Sequence, residues 1–200
     1  VRDFSEDDFD IGQNWEDNIY LRGKFEAERL VREAAADGLS VKILRIGRLV
    51  GRSSDGVFQK NPKTNAFWGL VSGILKADMV PDVLAELPLD TTAVDECARA
   101  ALMLAKQGSR MTYHIYNPQM KTVGEMITCM GLELKLVSRE EFEARLRRMA
   151  GDCQDISISM LLTQYYRFMQ VPVRISPVCR ITEEELARLG FTWKAPDVEC

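Results

Sequence analysis

Residues 18–47 read NIYLRGKFEAERLVREAAADGLSVKILRIG, and the fold class turns on them. Tyr20, Lys24, Ala27, Leu30, Val31, Ala34 and Ala35 recur at three- and four-residue steps. That spacing predicts a helix over about 18–37 with this stripe turned inward. Gly38 is a helix stop. Residues 41–46 are β-rich and end at Gly47, which predicts a strand. A helix, a glycine and then a β-rich run form the α-to-β half of a βαβ unit, so the chain reads as α/β.

Upstream, residues 1–15 are acidic and read as a loop. Downstream, residues 47–62 read as loop, 64–76 as helix, and 78–90 as mostly loop broken by Pro81 and Pro88. Four pairs carry capping-box chemistry: Thr92/Asp95, Thr122/Glu125, Ser138/Glu141 and Thr182/Glu185. They predict helices over about 92–106, 122–130, 138–150 and 182–189. A further helix fits 156–169, and short strands fit 112–116 and 133–137. The expected organisation is an α/β segment over 1–117 and a helix-rich segment over 118–200.

Hydrophobic residues make up 46% of the 200 and charged residues 28%, enough for a packed core. Lysine plus arginine (26) against aspartate plus glutamate (30) leaves a net charge of −4. This balance argues against a nucleic-acid partner. No run approaches the ~18 apolar residues of a membrane span, and the acidic first ten residues do not suit a secretory leader. Five widely spaced cysteines, with no CxxC, point to free thiols and a cytoplasmic setting. Because the chain starts at Val1, it is expected to be a piece of a longer one.

The inventory closes off several chemistries. A single histidine, His114, excludes zinc sites built on histidine pairs, and no metal site is expected. No GxSxG elbow accompanies it, so His114 reads as structural. No two glycines stand two apart, so GxGxxG is absent. Gly51 and Gly56 have P-loop spacing, but Val57 and Phe58 follow where Lys and Ser/Thr are required.

One pair remains. Tyr20 and Lys24 lie one helical turn apart and project from the same face. A phenol ordinarily titrates near 10, and a neighbouring ammonium stabilises its phenolate. Such a pair can exchange a proton with a carbonyl or alcohol oxygen during hydride transfer. A lysine stem packing on a surface tyrosine has the same spacing.

The surrounding text selects between these readings. Residues 18–28 resemble the YxxxK helix of the extended short-chain dehydrogenases/reductases. Residues 44–52 resemble the strand and exit loop that follow. Residues 90–95 are similar to a D-x-T-x-V-D segment, 113–118 to the next strand, and 189–193 to a closing LGF-x-W. Within that superfamily, KFEAERL (24–30), the run 44–61 and Asn65-Ala66-Phe67 resemble the terminal thioester reductase domains of nonribosomal peptide synthetases and the related carboxylic acid reductases.

The resemblance implies the C-terminal portion of an extended Rossmann-type reductase: the last parallel-sheet elements plus a helix-rich substrate subdomain. It implies reduction of a thioester on a carrier protein's phosphopantetheine arm to an aldehyde. The cofactor implied is NADPH, with NADH second. Tyr20 and Lys24 would be catalytic and would contact the cofactor; Ile46, Gly47 and Arg48 would border the nicotinamide. Val57, Phe58 and Gln59 would shape the acyl channel. Two departures stand out: Gly23 replaces the usual serine before the lysine, and Arg48 stands where asparagine is common. The family's glycine-rich loop and catalytic Ser/Thr have no counterpart, since neither Ser5 nor Ser40 is suitably placed. The isolated chain is therefore expected to be inactive. The competing readings are a nucleotide-sugar epimerase/dehydratase or fatty acyl-CoA reductase, and a non-catalytic module that docks a carrier protein.

Overall fold

The computed structural model describes residues 2–133, 135–152, 156–170 and 175–195. Its elements begin with β1 (Arg2–Phe4), α1 (Ile19–Ala36), β2 (Ile43–Ile46), β3 (Leu49–Val50), a 3-10 turn (Pro62–Thr64), α2 (Ala66–Ala77), β4 (Met79–Pro81), α3 (Asp82–Ala85) and β5 (Pro88–Leu89). They continue with β6 (Thr92–Ala93), α4 (Val94–Gln107), β7 (Thr112–Ile115), β8 (Lys121–Thr122), α5 (Val123–Cys129), β9 (Lys135–Val137), α6 (Arg139–Asp152), α7 (Ile156–Gln170), β10 (Ile175–Pro177) and α8 (Arg180–Arg188). The strands pair as β1–β10, β2–β7, β3–β6 and β4–β9, all parallel, and β5–β8, antiparallel. Parallel pairing between distant segments, with helices in the connections, is the α/β class expected.

Local chemistry explains where α1 begins and ends. The Asn18 side chain accepts from the Tyr20 and Leu21 amides at 3.0 and 3.2 Å, which satisfies two orphan donors of the first turn. At the other end Gly38 adopts φ +97°, a conformation costly for any residue with a Cβ. Its amide and that of Leu39 close the last turn on Ala35 and Ala34.

Two units make up the chain. The first comprises Val1–Gly47, Cys97–Tyr116 and Ile175–Trp193. Ala100, Leu104, Tyr113, Ile115 and Leu186 are buried in it, and α8 packs against β7. The second comprises Arg48–Glu96, Asn117–Arg174 and Lys194–Cys200. Its core includes Leu70, Ile74, Leu84, Val123, Ile127, Phe142, Leu146, Leu161 and Tyr165. The dominant packing there is α2 on α7, made close by small residues. A Cβ on Gly73 would lie 2.8 Å from the Ser157 carbonyl oxygen and 2.7 Å from the Leu161 Cβ.

Several elements differ from the sequence expectations. The segment read as loop over 1–15 contains β1, 47–62 contains β3, and 78–90 holds β4, α3 and β5. Pro81 ends β4 and caps α3 instead of breaking the chain. Of the four capping boxes, only Thr122/Glu125 forms in full. Ser138 caps the Glu141 amide, but the Glu141 carboxylate turns to Lys135. Thr92 accepts from the Asn117 amide and Asp95 from Ser53. Thr182 lies inside α8, where its hydroxyl donates to Glu6. Distant partners displaced a purely local motif.

Gly73→Ala should therefore lower stability by about 1–3 kcal/mol, because the Ser157 backbone cannot swing aside as a side chain would. Urea unfolding should show the lost midpoint, and an unchanged midpoint would mean that α2 and α7 separate freely.

Candidate active site

Tyr20 sits in the first turn of α1, set there by the Asn18 cap. The Lys24 Nζ lies 5.6 Å from the centre of the Tyr20 ring, within cation–π range. Both side chains are exposed, Tyr20 to 70%. The expected inward stripe is instead the outward one: Leu30 is 57% and Val31 38% exposed, and no residue of α1 is fully buried.

The opposite side of α1 does the anchoring. Phe25 stacks on Phe9 (4.5 Å) and on Trp15 (4.2 Å). Glu28 takes Arg45 of β2 in a fork, Oε2 from Nε at 3.0 Å and Oε1 from Nη2 at 2.6 Å. Arg32 pairs with Glu28 at 3.0 Å, lies over Phe9 and donates to Thr112 Oγ1. Burial pushes the Glu28 carboxyl up, but the two guanidiniums outweigh it and hold the group below its usual range.

Arg45 also reaches the Ser5 and Asp8 carbonyls, at 3.3 and 2.6 Å, and lies over the Phe4 ring. Its last partner is His114 Nε2, at 2.8 Å. Arginine can only donate, so Nε2 accepts; the Val178 carbonyl, 2.7 Å from Nδ1, can only accept, so Nδ1 carries the proton. His114 is thus held neutral. Burial depresses its pKa, the Val178 bond opposes this, and Arg45 adds to the depression. Glu6, also buried, takes the Thr182 amide and hydroxyl at 2.8 and 2.9 Å. No sequence pattern exposed this knot, although His114 had read as structural.

Ile46, half exposed, and Gly47 lie at the carboxyl end of β2, the end at which open α/β sheets bind ligands. In the second unit, the Arg48 amide donates to Asp90 Oδ2 at 2.6 Å and its guanidinium to Oδ1 at 3.2 Å. The guanidinium also covers Phe67. Asp95 takes the Ser53 amide and hydroxyl at 2.8 and 3.0 Å; burial raises its pKa, yet these bonds hold it below the usual value. Val57 is exposed, Phe58 partly buried and Gln59 exposed, and Phe58 stacks on Trp68 at 6.1 Å. Trp68, exposed at the start of α2, was missed because an aromatic among Phe67, Leu70 and Val71 reads as core.

A cavity of about 440 Å³ in the first unit is lined by Ser109, Arg110, Ile181, Glu184, Glu185 and Arg188. None is a candidate residue, and its polar groups are engaged within the protein. Glu185 accepts from Arg188 at 3.0 Å and from the Ser109 amide at 2.6 Å, which draws its carboxyl down to about 2. Arg110 pairs with Asp7.

The family model described as male sterility protein, an NAD-binding model, matches residues 2–101. The chain belongs to this family. Among solved structures, it is 31% identical to a thiolation-reductase di-domain from an archaeal non-ribosomal peptide synthetase, with a TM-score of 0.82. That match covers 98% of this chain and 41% of the other. It is 27% identical to the aureusimine biosynthetic cluster reductase domain, with a TM-score of 0.84 and coverage of 96% and 50%. A linear gramicidin synthase of Brevibacillus parabrevis is 27% identical over 138 residues, 66% of this chain and 3% of the synthase. The chain thus spans half or less of each relative. Its fold is that of reductase domains of the extended short-chain type.

The residues fit one end of a nicotinamide dinucleotide. Tyr20 and Lys24 are open on α1, and Ile46 is open at the carboxyl end of β2. The diphosphate end finds no cradle among the described residues: Gly47 leads into β3, not into a helix, and none of the positive-φ glycines follows a strand that opens one.

Protonating His114 would break its bond from Arg45. With its folded pKa below the unfolded value of about 6.5, the folded state binds fewer protons, so stability is full above that pH and declines as pH falls below it. The unfolding midpoint should drop between about pH 7 and pH 5, and His114→Gln should flatten that slope. An equally steep slope in the variant would place the titration elsewhere.

Proposed function

We propose that this chain supplies the tyrosine–lysine helix and the substrate subdomain of an NAD(P)H-dependent reductase. Its substrate is an acyl or peptidyl thioester on a carrier protein's phosphopantetheine arm, and its product an aldehyde. The observation that carries this reading is the Tyr20–Lys24 pair on the open face of α1. Membership of an NAD-binding family and 31% identity to a thiolation-reductase di-domain support it.

When bound, the reduced nicotinamide, NADPH in first place and NADH in second, supplies hydride. Lys24 and the backbone at Ile46, Gly47 and Arg48 hold its nicotinamide end. Tyr20 donates a proton to the thioester carbonyl oxygen as negative charge develops there. The Lys24 ammonium, beside the ring, stabilises the phenolate that remains. Loss of the arm's thiol from the resulting hemithioacetal leaves the aldehyde. Val57, Phe58 and Gln59, with the helix-rich segment 118–200, shape the channel for the acyl chain.

In the longer protein that carries this chain, Tyr20→Phe should cut reduction of a carrier-loaded thioester by about 10²-fold or more, followed by nicotinamide absorbance. Undiminished turnover would remove Tyr20 from its role. The 200 residues alone should not hold NADPH tightly, for want of a diphosphate cradle; submicromolar binding by nucleotide fluorescence would contradict that.

A further inference from the structure

The segment between Asp55 and Asp78 carries Lys60, Lys63 and Lys76 and no aspartate or glutamate, in a chain whose acids outnumber its bases. Lys76 meets Ser157. Lys60 and Lys63 are exposed and have no ion pair or side-chain hydrogen bond among the described residues. The connection that bears them is folded back by short polar bonds. Gln59 Nε2 donates to the Asn61 carbonyl at 2.7 Å, Thr64 Oγ1 to the same carbonyl at 3.1 Å, and Asn65 Nδ2 to Gln59 Oε1 at 3.2 Å. This fold-back stacks Phe58 on Trp68 while leaving Trp68 43% and Val57 54% exposed. The loop thus presents a stacked aromatic step with apolar surface facing water, and two unpaired ammonium groups in the connection between its rings.

We infer that residues 57–68 receive the carrier's phosphopantetheine arm: Lys60 and Lys63 take its phosphodiester, and Val57, Phe58 and Trp68 take its uncharged chain. The inference rests on the carrier-bound substrate proposed above and adds the surface that recognises it. Two compact ammonium groups suit a phosphate as point charges, and flat aromatic faces take apolar chain at little entropic cost. Both requirements meet in one ligand that is anionic at one end and uncharged along its length.

The test adds 4′-phosphopantetheine, pantetheine or inorganic phosphate to the full chain and follows the Trp68 indole N–H by NMR, assigned with Trp68→Phe. Phosphopantetheine should move that signal and bind about fivefold more tightly than pantetheine, the scale of two exposed charge contacts. Lys60→Ala/Lys63→Ala should erase the difference. Equal binding of the two compounds, an unaffected double variant, a static Trp68 signal, or an equal response to inorganic phosphate would each overturn the inference. Neither cofactor nor turnover enters this measurement. Arm binding without reduction in the longer protein would therefore sink the reductase reading alone. Normal reduction with an unchanged KM for the loaded carrier in the double lysine variant would sink the arm site alone.

Discussion

Arg45 is the contact on which the first unit depends. One guanidinium, 16% exposed, is shared by the Glu28 carboxylate of α1, two carbonyls of the N-terminal segment, His114 of β7 and the face of Phe4. A buried charge is tolerated only when paired and fully hydrogen-bonded, so its partners hold one another in register. Removing it would leave Glu28 half-buried with only Arg32. The consequence for function is positional: the same fork that holds α1 to β2 orients Tyr20 and Lys24 on the far face of that helix.

Around this knot the sheet is sparse. Among the described residues β2 has one neighbour, β7. The β7 amide of His114 points the other way and donates to the Thr182 hydroxyl of α8, so a side chain closes that edge instead of a strand. Parallel strands usually need cover on both faces. Here α8, β10 and the N-terminal segment provide it through polar contacts, which is why Glu6, His114 and Thr182 are buried while several apolar residues of α1 are not. The open face of α1 is also what gives a carbonyl access to the Tyr20 phenol.

Elements defined by their own periodicity were legible from the sequence: α1, β2, β7, α7 and the Thr122 capping box stand where expected. What escaped was set at long range. Strands as short as β1, β3 and β5 exist only because a distant partner pairs with them, and two or three residues carry no period. The inward stripe of α1 was misassigned for the same reason. An apolar 3.6-residue pattern cannot reveal that the anchoring side uses Phe25, Glu28 and Arg32, whose partners lie on other segments. The site divides likewise: Tyr20 and Lys24 are a local spacing and could be read, whereas Arg45, His114 and Trp68 acquire meaning only from what they touch.

The central claim is that the phenol and the ammonium act as one device. A double-mutant cycle measures this directly, with Tyr20→Phe, Lys24→Met and both together, in the longer protein on a carrier-loaded thioester. If the lysine works through the tyrosine, the double variant should be no slower than Tyr20→Phe alone, because groups acting as a unit lose their effect once. Losses that multiply would show two independent roles and contradict the pairing.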